Sequence, residues 1–266
     1  MSVTVVIPLL TAVLLWWFST GAILVAVRLA ERGGKRAGVQ ATLLGLPLLI
    51  LGGLAFLSTL EDTSLLGVYG AFVGTLALWG WVELAFLTGT VTGPHEEPCP
   101  PNRSGFERFL RAWSTIAYHE IVLTLLFAFV VLSSVGAENT VGTYTYLILY
   151  FARISAKLNL FLGVSRINTE FLPRHLDHLG SHFKIARMNW FFPISITALT
   201  FALACWIERL IFAQNTAEQA GFALLSGLTA LALLEHWLLV LPLPDAKLWR
   251  WMLPSPAPKT TKGENR

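Results

Sequence analysis

Charged side chains are scarce in this 266-residue chain: 19 basic and 16 acidic residues make up 13% of it, about half the share of an ordinary soluble domain. A soluble protein of this length must cover its surface with polar groups, so the scarcity excludes a cytosolic globular enzyme. Cysteine is scarcer still. Cys99 and Cys205 stand alone, which excludes a disulfide scaffold. The metalloprotease pattern HEXXH, the nucleophile elbow GxSxG, the phosphate-binding P-loop and the dinucleotide GxGxxG are all absent, removing the usual hydrolase and nucleotide readings. No internal repeat appears, so an inverted-repeat transporter has no support. What is abundant is apolar: hydrophobic residues form 55% of the chain, and the mean hydropathy is +0.62. The chain reads as an all-α, polytopic integral membrane protein.

A helix crossing the hydrocarbon needs about 20 mostly apolar residues, because its backbone groups must all bond internally over about 30 Å. Seven stretches qualify: residues 3–27, 39–60, 65–88, 118–135, 142–162, 190–212 and 220–241. The first lacks the basic flank of a secretory signal and exceeds its short apolar core, so it reads as a retained span. The fourth is short, and Phe106, Phe109, Leu110, Trp113 and Ala117 recur before it at helical spacing, as in a segment lying on the membrane surface. The fifth carries Arg153 and Lys157 four residues apart, on one helix face. Small residues at Gly70 and Gly74, and at Ala223 and Gly227, predict close helix approach.

Basic residues fix the orientation. With seven spans, 18 of the 19 Lys and Arg residues fall on one side and only Arg209 on the other. This places the N-terminus in the periplasm and the C-terminus in the cytoplasm of a bacterial inner membrane, in contact with lipid. The membrane domain then covers residues 1–253, including a cytoplasmic segment at 163–189, and a disordered tail follows at 254–266. The net charge of +3 follows from this topology and gives no sign of nucleic acid binding.

Ionisable residues inside a bilayer cost roughly 2.5–3.5 kcal/mol each on insertion scales, so they face protein or water and are paired. Here they gather near the cytoplasmic boundary: Glu83, His119 with Glu120, Arg153 with Lys157 and Asn159, and Glu235 with His236. All fall within about 15 Å of that boundary at 1.5 Å per residue. One polar layer joining four helices is expected, with Arg153 paired to Glu83, Glu120 or Glu235, or with the layer open to a ligand or partner.

The segment between the fifth and sixth spans holds the most unusual chemistry. On an α-helix starting after Pro173, His175, His178 and His182 would share one face, with Glu170 or Asp177 as an oxygen ligand. That spacing suits a transition metal. A single histidine could instead ligate the magnesium of a chlorophyll.

Four stretches carry a family resemblance: the Trp-Trp-Phe-Ser-Thr-Gly run at 16–21, Arg-Ile-Ser-Ala-Lys-Leu-Asn-Leu-Phe-Leu-Gly at 153–163, Glu-Phe-Leu-Pro-Arg-His-Leu at 170–176 and Glu-His-Trp at 235–237. The chain resembles the photosynthetic complex assembly proteins of the PuhE type over most of its length. The resemblance implies an inner-membrane factor that associates with the reaction centre and light-harvesting core and influences bacteriochlorophyll supply. It supplies no catalytic residues. The competing expectation is a membrane-embedded metalloenzyme acting on a lipid or tetrapyrrole through Glu170 and the three histidines.

Overall fold

A computed structural model describes residues 2–100, 103–167, 169 and 172–241. Glu170 and the tail expected at 254–266 lie outside the described residues. Among those described the chain is all helical, apart from one isolated parallel bridge between Val164 and Ile185. The helices are α1 (Val3–Arg32), α2 (Gly34–Leu44), α3 (Leu46–Ser58), α4 (Leu65–Leu87), α5 (Gly105–Ser114), α6 (Ala117–Ser133), α7 (Val141–Leu162), α8 (Phe191–Phe212) and α9 (Thr216–Leu238). A 3-10 helix, Arg174–His182, lies between α7 and α8 in the chain and packs on Phe86 and Leu87 of α4 and on Ile116.

Among the described residues, five stretches are long and apolar enough to cross a membrane: Val3–Arg32, Gly34–Ser58, Leu65–Leu87, Phe191–Phe212 and Thr216–Leu238. The protein is therefore a multi-pass membrane protein. α5 and α6 pass the same test only as a pair bent by 72°. α5 buries none of its residues and exposes Phe106, Phe109, Leu110 and Trp113, as the surface-lying segment expected ahead of the fourth span does. α7 has 22 residues, which is length enough to span, but Arg153 and Lys157 in its second half make it too polar for that test.

Local sequence sets where the helices begin. Ser64 caps α4 by accepting the Gly67 N–H, and Asn215 caps α9 by accepting that of Glu218. The Glu218 carboxylate reaches back to the Gln214 N–H and the Asn215 amide, satisfying donors that a helix start leaves open. The turn from α1 to α2 passes through Gly34 at φ +68°, a conformation costly for any residue with a Cβ.

α4, α7 and α9 form the centre. Phe72, Leu78 and Val82 of α4 meet Tyr146 of α7 and Leu224, Leu225 and Leu228 of α9 in one buried cluster. Tyr146 packs edge-on against Trp79 at 5.6 Å and donates its hydroxyl to the Leu123 carbonyl of α6. α3 lies against α4, while α1 and α8 flank α9. Only 17% of the apolar window of α1 and 11% of that of α8 is buried, against 61% for α4. The outer helices thus turn wide apolar faces outward, which suits hydrocarbon and would aggregate in water. The small-residue expectations hold. A Cβ on Gly74 would sit 2.9 Å from the Gly52 carbonyl oxygen of α3, and one on Gly227 would sit 3.1 Å from Ala12 of α1.

Candidate functional site

The site begins with the helical spacing of α7, which stacks Arg153 and Lys157 along one face. Arg153 donates to Glu83 Oε2 of α4 at 2.8 Å, and Lys157 pairs with Glu120 of α6. Of the three carboxylates open to Arg153 in the sequence, Glu83 is the one it meets. Phe86, nearly one turn beyond Glu83, lies below both cations, with its ring centre 5.8 Å from the Arg153 guanidinium carbon and 6.0 Å from Lys157 Nζ. Two opposite pairs with an aromatic floor remove most of the cost of placing these charges in a low-dielectric interior. Among the described residues, Glu83 Oε1 and Arg153 Nε have no hydrogen-bond partner.

Glu235 is different. It meets no cation within ion-pair distance among the described residues and accepts the indole N–H of Trp16 at 2.9 Å. The charges of Arg153 and Glu83 both act on it, and those two are engaged with each other. Glu235 is solvent-accessible, but what it is accessible to is a cavity.

That cavity has a volume of about 1270 Å³ and is bounded by α1, α4, α5, α6, α7, α9 and the 3-10 segment. It exceeds the roughly 300–1,000 Å³ of a site for a drug-sized ligand. Its wall is mostly leucine, isoleucine and aromatic, and the polar groups on it include Trp16, Glu120, Tyr150, Arg153, Lys157 and Glu235. Lining residues Leu14 of α1 and Leu125 of α6 are 59% and 65% exposed, so the cavity opens sideways within the apolar zone. A second cavity of about 280 Å³ adjoins it, reaching Glu83 and His236.

Several residues expected in the polar layer act as ties instead. His236 is buried, with Nδ1 2.8 Å from the Ala232 carbonyl and Nε2 3.0 Å from Ser155 Oγ, which locks α9 to α7. Asn159 donates to Ser195 Oγ and accepts from Asn189, joining α7 to α8. His119 is fully buried, its ring tilted 33° against that of Phe86 with centres 4.3 Å apart, and neither ring nitrogen has a partner among the described residues.

The histidine segment folds otherwise than its spacing predicts. Arg174–His182 is a 3-10 helix rather than an α-helix. With three residues per turn, His175 and His178 align while His182 stands a third of a turn away. His175 is exposed beside Gly89, and His182 is buried with Nε2 3.4 Å from the Glu97 carbonyl. Burial pulls the pKa of both His178 and His182 below the ordinary histidine value. His95, from the Pro-rich loop, is within electrostatic reach of both. Among the described residues no three His, Cys, Asp or Glu side chains are placed to hold a metal ion, and Glu170 is not among those residues. Trp16, named above only within the 16–21 run, and His95 are site residues whose roles the sequence does not mark: an indole inside an apolar run carries no sign of its partner, and His95 lies in a loop with no helical period.

No solved structure matches the chain. A relative in Rhodobacter capsulatus, described as an uncharacterized 30.4 kDa protein in the puhA 5′ region, is 55% identical over 247 residues, covering 92% of this chain and 90% of its own length. Residues 1–260 match the family described as protein of unknown function, DUF3623. The chain belongs to the DUF3623 family.

Proposed function

We propose that this protein is an assembly factor for the bacterial photosynthetic reaction centre and light-harvesting complexes, and that its large cavity holds bacteriochlorophyll during delivery. The observation that carries the reading is the cavity itself: about 1270 Å³ of mainly apolar space, open toward lipid, with a few polar groups set deep in its wall. Such a space suits a tetrapyrrole with a long tail, and its side opening lets the ligand come and go without crossing water. The position of the relative in the puhA 5′ region supports the photosynthetic setting, as does the resemblance of residues 153–163 to PuhE-type proteins.

The same proposal includes seven spans in the inner membrane, with a periplasmic N-terminus. α7 supports the count, since its cations are paired with carboxylates of α4 and α6 rather than turned to water. Reporter fusions after residues 35, 103 and 180 are expected to report cytoplasm, and those after 62, 138 and 214 periplasm. Purification of the tagged protein in mild detergent is expected to yield a bound-pigment absorption spectrum and reaction-centre or antenna subunits. If neither pigment nor such subunits accompany it, the assembly reading fails.

A further inference from the structure

We infer that Glu235 is a hydrogen-bond donor of the cavity: as a neutral carboxylic acid it keeps Trp16 on one oxygen and offers its O–H to a carbonyl oxygen of the ligand. The cavity thereby prefers tailed molecules that carry a ketone, aldehyde or ester group over bare hydrocarbon chains. The inference rests on the reading of the cavity as a ligand site, but not on the ligand being a pigment.

Glu235 lines both cavities, together with Trp16 and Arg153. Its Oε1 accepts the Trp16 indole N–H at 2.9 Å, and among the described residues Oε2 has no partner. The cations that border the same space are placed elsewhere. Arg153 pairs with Glu83 and Lys157 with Glu120, so each of those carboxylates has its own counter-ion. Arg166 follows the cytoplasmic end of α7 and donates to the Leu241 carbonyl. His236, next to Glu235 in the chain, turns to the Ala232 carbonyl and to Ser155.

An ionised Glu235 would have a single indole N–H to offset its lost water, where an enclosed carboxylate needs a cation or several donors. Taking up a proton removes that demand and makes the group acceptor and donor at once. The carbonyl oxygen keeps the indole, and the hydroxyl is left with nothing to bond inside the protein. A carboxylic acid kept neutral by an apolar site is an established way to supply a donor at neutral pH. The wall around it is mainly leucine, isoleucine and aromatic, so the O–H stays unpaired until an acceptor enters. A carbonyl oxygen satisfies it, and a hydrocarbon chain does not.

Two readouts on the full-length protein in detergent test this. At about pH 7 a free glutamate is ionised. The infrared difference spectrum between the unaltered protein and Glu235→Gln is expected to contain the C=O stretch of one protonated carboxyl, which shifts in heavy water. The bands of an ionised carboxylate in its place overturn the inference. Binding of a brominated long-chain methyl ketone and of the brominated alkane of equal length is read by quenching of tryptophan fluorescence. The ketone is expected to bind about tenfold more tightly. Glu235→Gln presents an amide N–H where the acid had its O–H and still accepts from Trp16, so it is expected to keep the preference. Glu235→Leu removes the donor and is expected to lose it. A preference kept by Glu235→Leu or lost by Glu235→Gln overturns the inference, as does equal binding of both probes to the unaltered protein. Should Glu235→Leu fail to fold, the infrared band and Glu235→Gln still decide.

Bacteriochlorophyll separates this claim from the pigment reading. If it does not bind while the ketone preference holds, the pigment reading fails and the donor stands. If it binds with carbonyl stretches that Glu235→Leu leaves unmoved, the pigment reading stands and the donor fails.

Discussion

Trp16 of α1 donates its indole N–H to Glu235 of α9 at 2.9 Å, 219 positions along the chain, and the two side chains form a partition between two adjoining cavities. Trp16→Phe keeps the aromatic bulk and removes the donor, leaving the carboxyl group without its hydrogen bond. A stranded acceptor costs about 1–3 kcal/mol, so the variant is expected to melt at lower temperature in detergent. Trp16→Phe combined with Glu235→Leu removes both partners and is expected to recover most of the loss. A single Trp16→Phe variant as stable as the unaltered protein would show that the contact contributes nothing.

The Arg153–Glu83 pair bridges α7 and α4 at 2.8 Å, with 32% of the arginine side chain and 12% of the glutamate side chain exposed. Breaking a fully enclosed pair costs about 3–5 kcal/mol. The cavity beside Arg153 lowers that figure, and about 2 kcal/mol is expected for Arg153→Met or Glu83→Gln alone. In the double variant the two losses are expected to be less than additive by at least 1 kcal/mol, the mark of direct coupling in a double-mutant cycle. Strict additivity measured by thermal unfolding would deny the pair any mutual stabilisation.

How much of this was legible in the sequence differs between residues for physical reasons. That Glu83, Glu120, Arg153, Lys157 and Glu235 lie at similar levels along their helices is legible, because charge stands out against apolar runs and level follows from residue count. Which carboxylate meets which cation could not be read, since that depends on the rotation of each helix about its axis, and α4 buries residues around most of its circumference. The cavity left no trace either: Leu14, Ile121, Leu125 and Leu234 look the same whether they face lipid or a ligand. The 3-10 geometry of residues 174–182 escaped because both helix types repeat near three residues, and Gly180 weakens the longer-period form.

Acid is expected to loosen the histidine segment. Burial lowers the pKa of His178 and of His182 below the 6.5 of an exposed imidazole. The unfolded segment therefore takes up protons at a pH where the folded one does not. Stability rises with pH across that window and falls as pH drops below about 6.5. Hydrogen exchange of amides in Arg174–His182 is expected to quicken between pH 7.5 and 5.5 beyond the intrinsic pH effect, while α4 and α9 keep their protection. His178→Gln with His182→Gln should flatten the dependence. Unchanged protection across this range would mean that the two imidazoles are not held neutral by their surroundings.

Gly74 and Gly53 sit on facing helices with opposite tolerance for a methyl group. A Cβ on Gly74 would come within 2.9 Å of the Gly52 carbonyl oxygen and 3.0 Å of the Phe56 nitrogen, backbone atoms that move only if α3 and α4 part. On Gly53 it would meet only a Leu78 methyl at 3.7 Å, an ordinary contact. Gly74→Ala is expected to cost about 1–3 kcal/mol through this overpacking. Gly53→Ala is expected to be neutral or stabilising, because alanine is the better helix former by up to about 1 kcal/mol. Thermal melting of the two variants side by side checks the sign of each.

Arg108 fastens the surface helix α5 to the rest of the protein. Its guanidinium donates to the Phe161 and His182 carbonyls at 2.8 and 2.7 Å and lies 4.2 Å from the Phe161 ring centre. One side chain therefore joins α5, the end of α7 and the 3-10 segment, all of which border the large cavity. Arg111, by contrast, pairs with Glu107 inside α5 at 3.3 Å, and such exposed i,i+4 pairs contribute about 0.3–0.5 kcal/mol. Arg108→Ala strands two carbonyls and removes the ring contact, a local loss of about 2 kcal/mol. It is expected to speed hydrogen exchange and proteolysis in α5 by tenfold or more, with little change in α4 or α9, whose packing does not involve Arg108. Arg111→Ala is expected to change α5 by less than threefold. If the two variants behave alike, α5 is held by its apolar face against the membrane and not by the Arg108 fastening.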